Sequence, residues 1–130
     1  MGEFVTLEDA HTQLRTSADD DPWLALWIPA ASAAVEAWLK QPWRCYKLQI
    51  DAVGLPMIGE EGVPLPVLDE EGKPVVHPLV RSAVLVELAA QYRFRDSEGA
   101  PVVEPSAGHG YVLSQGATAL LAPLRKSTVA

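Results

Sequence analysis

Between residues 46 and 77 helical periodicity disappears and prolines and glycines take over, and this interruption limits the possible folds more than any other feature. Proline has no backbone N–H, so a stretch holding Pro56, Pro64, Pro66 and Pro74 is excluded from helix interiors and from the centre of a sheet. Short apolar alternations such as Tyr46, Leu48, Ile50 leave strand and turn. The stretch also echoes itself, since Leu55-Pro56-Met57-Ile58-Gly59-Glu60-Glu61-Gly62-Val63-Pro64 is followed directly by Leu65-Pro66-Val67-Leu68-Asp69-Glu70-Glu71-Gly72-Lys73-Pro74. Two units are too few for a solenoid. They read as extended pieces, each ending in an acidic turn whose glycine takes a positive backbone angle, together forming a projecting β-hairpin or extended arm over about 46–77.

Helical grammar stands on both sides of this arm. Thr6 with Asp9 has the spacing of a capping box, and Leu7, Ala10 and Leu14 share one face of a first helix. Asp19, Asp20 and Asp21 before Pro22 suit a cap and a proline-started second helix, whose apolar stripe runs Leu24, Ile28, Ala31, Val35, Trp38. Pro29 falls inside that stripe and predicts a kink near Leu26 rather than two helices. Gln41 and Pro42 end it. Pro78 opens a third helix, apolar on nearly every side and therefore central, and Asp96 to Gly99 break it. After a loop rich in proline and glycine, Ser114 caps a last short helix with Ala117, Leu120, Leu121 and Leu124 apolar. The fold class that follows is mainly α: a bundle of about four helices with the arm inserted between helices 2 and 3. The helical core spans about 5–41 and 78–96, with a C-terminal segment over about 112–130.

All of this fits one domain, since 130 residues divided in two would leave neither half a proper core. A hydrophobic share of 48% with 21% charged residues belongs to folded rather than disordered chains. The net charge of -7 opposes condensation onto phosphate and disfavours sequence-independent DNA binding. Cys45, the single cysteine, has no partner for an internal disulfide and is expected to be a half-buried residue in a reducing compartment. The opening Gly2, Glu3, Phe4 lacks the basic and apolar regions of a signal peptide, so manufacture and use without export are expected. Leu79 to Ala90 is interrupted by Arg81 and Glu87 and falls short of the roughly 20 residues that cross a bilayer.

The residue types that carry chemistry are scattered. His11, His77 and His109 show no metal-ligand spacing, and the aspartate run lacks the alternation and glycine of a calcium loop, so no metal is expected. No serine lies in a nucleophile elbow and no glycines have phosphate-cradling spacing, so neither catalytic residues nor a cofactor are expected. Glu60, Glu61, Glu70 and Glu71 are paired, yet at turns such pairs are ordinarily solvated. The tryptophans are more informative. Trp27 and Trp38 lie on the buried stripe, while Trp23 and Trp43 sit near the ends of the second helix, where core and interface are equally open.

Several blocks, taken in order, carry a resemblance: Val5-Thr6-Leu7-Glu8-Asp9-Ala10 with Leu14-Arg15; Ala33-Ala34-Val35-Glu36; Ala89-Ala90-Gln91-Tyr92-Arg93-Phe94-Arg95-Asp96; and the closing Leu120-Leu121-Ala122-Pro123-Leu124-Arg125. Together the helical blocks resemble the head-tail connector, or adaptor, family of long-tailed double-stranded DNA phages over somewhat more than half the chain. Pro29 and the long Lys47 to Val76 insertion depart from that pattern. The resemblance implies a structural virion protein, made in the host bacterial cytoplasm and placed in the neck, forming a ring of about a dozen subunits. Such a ring stacks between the portal and a tail-side stopper or tail-completion protein, and genomic DNA passes through its bore without sequence-specific binding. It further suggests portal docking by Leu120, Leu121, Leu124, Arg125 and Lys126. Trp23 and Trp43, from their place near the helix ends, and Glu60, Glu61, Glu70 and Glu71, on the arm that departs from the family pattern, are the candidates for subunit or stopper contacts. A small DNA-packaging protein, similar to a terminase small subunit, is the alternative; it calls for a basic recognition helix, and only Arg93, Arg95, Arg125 and Lys126 concentrate positive charge. A small metal-dependent enzyme is a further, weaker alternative.

Overall fold

In the computed structural model, which describes residues 3–95 and 113–125, the local signals around Thr6 assemble as their spacing requires. The Thr6 hydroxyl accepts from Asp9 N–H and the Asp9 carboxylate accepts from Thr6 N–H, closing a capping box on α1 (Leu7–Leu14). A 3-10 turn, Ala18–Asp20, capped by Ser17, leads into α2 (Asp21–Leu39). α2 runs through Pro29 as one helix. Pro29 lies on its exposed side, so water can serve the carbonyl that the missing N–H leaves over.

The aspartate run does something other than cap. Asp20 holds the cap position of α2 without a side-chain cap bond: its backbone is itself helical, φ -92° and ψ 0°, whereas the capping residues Thr6 and Ser17 are extended. The Asp20 carboxylate accepts instead from the Tyr92 hydroxyl at 3.1 Å, and Asp21 meets His11 Nε2 at 2.6 Å. These acids tie α2 to the third helix and to α1.

α3 (Pro78–Arg95) packs against α1, α2 and α4 (Gln115–Arg125), which makes it central, as its apolar content predicts. It is not apolar all round: Arg81 and Ser82 are exposed, and Arg81 pairs with Asp9 across to α1. The core collects Leu24, Ile28, Val35 and Leu39 from α2, Val80, Val84 and Leu88 from α3, and Ala117 and Leu121 from α4. α3 and α4 approach closely, since a Cβ on Gly116 would lie 2.9 Å from Val86 Cγ1. Ser114 caps α4 by accepting from Ala117 N–H, as expected.

The inserted arm departs from a simple hairpin. No continuous strand forms among the described residues; five isolated antiparallel bridges join Tyr46 to Val76, Leu48 to Pro66, Ile50 to Pro56, Ile58 to Pro64 and Leu68 to Pro74. In each, the backbone hydrogen bonds come from the flanking residues, as in the widely spaced pairs of an antiparallel ladder. Proline therefore occupies positions where its missing N–H costs nothing, which is how four bridges tolerate it. The flanking bonds close on themselves. Gln49 donates to Leu65, Leu65 to Met57 and Met57 back to Gln49, while nearer the body Lys47 donates to Val75, Val75 to Val67 and Val67 back to Lys47. Of the two expected forms, hairpin or extended arm, the described residues show extended pieces held in these two rings.

Three turns cap the pieces. Asp51 to Gly54, Gly59 to Gly62 and Asp69 to Gly72 each close with an N–H of the last glycine donating to the first carbonyl, and each last glycine has positive φ, 86°, 77° and 82° in turn. Asp51 Oδ1 accepts from the N–H groups of Val53 and Leu55, and Asp69 Oδ1 repeats this with Glu71 and Lys73. The twofold echo visible in the sequence is thus the later part of a threefold structural repeat that begins at Ile50.

Candidate functional site

The arm's backbone is bonded internally, and many of its apolar side chains face outward. Ile50, Val53, Leu55, Met57, Ile58, Val63 and Leu68 are all exposed, Val53 to 78%. Elsewhere in the described residues only Leu7 and Leu26 are exposed large apolar side chains. Scattered single apolar residues on a surface need no explanation, whereas here seven fall from Ile50 to Leu68. Glu60, Glu61, Glu70 and Glu71 sit exposed in two of the turns, as expected.

Where the arm joins the body, the Pro42–Cys45 turn places a second group of residues. The Arg44 guanidinium Nη1 donates to the Leu39 carbonyl at the end of α2 and to the Arg125 carbonyl at the end of α4, both at 2.9 Å. Carbonyls at helix C-termini carry partial negative charge, so a cation shared between two such ends is well placed. Arg44 also lies 5.3 Å from the Trp43 ring centroid, and the Arg125 guanidinium lies 4.6 Å from that of Trp38. The outcome is a basic, aromatic end of the helical body. Phe4 meets Tyr46 edge to face and donates its N–H to the buried Ser32 hydroxyl, so the arm base is fixed to the N-terminal segment and α2 as well.

Of the described residues implied in portal docking, one is fully buried, two are half-buried and one is exposed. Leu121 is fully buried in the core, Leu120 and Leu124 pack against it, and Arg125 is the group stacked on Trp38. The apolar stripe of α4 has its burial partner in α3, because a short helix gains most by covering the apolar side of a central one. Lys126, the rest of the 126–130 tail, His109 and the 96–112 connection lie outside the described residues. Trp23 stacks on Trp27 at 5.6 Å and meets Tyr92 edge to face while remaining half-buried; Trp43 is half-buried beside Arg44.

Three titratable groups outside the arm's turns are set into the structure: His77, Cys45 and Glu87. His77 caps α3, its Nδ1 accepting from Leu79 N–H, and burial, with Lys47 nearby, lowers its pKa. Cys45 is fully rather than half buried, and burial, with Glu36 adding a smaller effect, pushes its thiol up to about 12. Glu87, which in the sequence looks only like an interruption of an apolar run, is fully buried; it accepts from Ser114 N–H at 2.8 Å and from Gln91 Nε2 at 3.0 Å. It therefore anchors the chain where it returns to begin α4. Among the described residues no group of three or more His, Cys, Asp and Glu side chains is placed to hold a metal, and no helix is long and apolar enough to cross a membrane.

Sequence reasoning missed Arg44, Glu87 and the third turn. For the turn a signal was present, the shared spacing of Ile50-Asp51, Gly54 and Pro56 with Ile58-Gly59, Gly62 and Pro64. For Arg44 and Glu87 none was, since their partners come from distant parts of the chain. Compared with family models, curated proteins and solved structures, the chain matches none of them.

Proposed function

We propose that this chain is a structural assembly subunit of the head-tail connector type, which joins copies of itself into a ring between a portal and a tail-side stopper. The observation that carries the assembly reading is the arm: seven large apolar side chains exposed on one rigidly hydrogen-bonded projection. A surface of that kind is stabilised by covering it with another polypeptide. The connector reading adds the ordered resemblance of the helical blocks. An acidic subunit suits it, because a bore that does not attract phosphate lets DNA slide past.

In this reading the portal contact of the C-terminal segment falls to the exposed Arg125, the half-buried Leu120 and Leu124, and Lys126. Leu121 leaves the set, since alanine there would create a core cavity costing about 2–5 kcal/mol and would report on folding. The test is electron microscopy of the full chain mixed with portal rings. Added ring density on the tail-side face of the portal is expected, with Arg125→Glu weakening it while circular dichroism stays unchanged. A chain that ignores portal rings, or that shifts DNA in gels at low salt as a packaging subunit would, sinks the connector reading.

A further inference from the structure

α2 carries a second uncovered surface. Pro22, Ala25, Leu26, Pro29, Ala33 and Ala37 are all exposed and recur every three or four residues, so they form one stripe along the helix. None of these exposed residues is charged; Glu36, on the same side, is half-buried. Most surface helices turn a charged face to water, so a stripe of alanine, proline and one leucine is the exception. The stripe leads to Lys40, exposed at its C-terminal end.

We infer that the occupant of this stripe is the arm of a second copy of the same chain, laid along α2 with its acidic turns at the Lys40 end. This rests on the assembly reading above and names the two halves of its interface. The two surfaces differ as a matched pair should. The arm presents large apolar side chains on a projection, while the stripe presents small and flat ones that let another backbone approach closely. Glu60, Glu61, Glu70 and Glu71 supply negative charge at the arm's turns, and Lys40, in register with Ala33 and Ala37, supplies positive charge at the end of the stripe. Charge complementarity of this kind fixes orientation and register, with the apolar contact giving most of the affinity. The arm's backbone is already satisfied in its two hydrogen-bond rings, so little ordering cost remains on docking. Because arm and stripe are different surfaces, the contact is head-to-tail, and repetition gives a ring or a filament rather than a twofold dimer.

The experiment is sedimentation velocity on the full chain across micromolar to millimolar concentration. The wild type is expected to associate progressively, and Leu55→Asp on the arm or Leu26→Asp on the stripe to weaken association by at least about tenfold. Both residues are exposed, so circular dichroism should show unchanged helix content in each variant. An equimolar mixture of the two variants should then form a heterodimer and stop there, since one chain keeps its stripe and the other its arm. The inference is overturned if the wild type stays monomeric to millimolar concentration, if either substitution leaves association unchanged, or if the mixture gains nothing over its components. Portal is absent from this assay. Head-to-tail association by a chain that ignores portal rings would sink only the connector reading, and portal-bound rings insensitive to both substitutions would sink only the inference.

Discussion

At single positions, electrostatics and capping decide more than the sequence shows. His77 is held below the ordinary imidazole range, by burial first and by Lys47 second, and its unprotonated Nδ1 is the atom that caps α3. The unfolded chain therefore takes up this proton at higher pH than the folded one. The stability His77 contributes is complete above about pH 6.5 and falls as pH drops through and below that value. Urea unfolding from pH 7.5 to 5 should show that decline, and His77→Asn, which keeps a capping acceptor without the titration, should flatten its part of it. Arg44 makes a different prediction. Two charge-assisted bonds to helix-end carbonyls are lost in Arg44→Met, which should lower the unfolding free energy by about 2–3 kcal/mol. Arg44→Lys should recover less than half, because an ammonium lacks the planar fork.

Among the elements, the arm shows how far local rules reach. Glycine at 54, 62 and 72 answers to one requirement, a positive φ at the last turn position. Gly62→Ala and Gly72→Ala should each cost about 1 kcal/mol, read as increased hydrogen exchange confined to residues 46–77, with helix signals unchanged. Nothing lies within 4 Å of a Cβ at either site, so the effect is backbone strain alone. Gly116→Ala tests packing instead. There the added methyl meets Val86 at 2.9 Å and must push α4 from α3, so global stability falls although alanine is the better helix former. The capping box, the proline-started helices and the acidic turns were legible because each depends on residues within a few positions of one another. The hydrogen-bond rings were not, since each joins three separated pieces of chain.

On the scale of the whole molecule, body and arm are separable parts. Cys45 and His77 are joined by a backbone bond at 2.9 Å and Tyr46 bridges Val76, so the chain leaves the body and returns at one point. Replacing residues 48–74 by Asn-Gly should therefore leave a two-residue hairpin in which Val75 N–H, released from Val67, turns to Lys47. Thermal unfolding should remain cooperative with helix content retained, while self-association disappears; loss of the folded body would show that the arm is part of its core. The sequence by itself determined the mainly helical class, the four helices near their observed positions, and an arm that proline keeps from becoming sheet. These follow from backbone geometry and apolar periodicity, which act over a few residues. Only the tertiary structure decided which apolar stripes are spent within the chain and which stay uncovered. Leu120 and Leu121 both belong to the apolar stripe of the last helix, yet Leu121 is fully buried under α3 and Leu120 is only half-buried. That difference is set by which helix packs against which, a long-range choice that residue spacing does not encode.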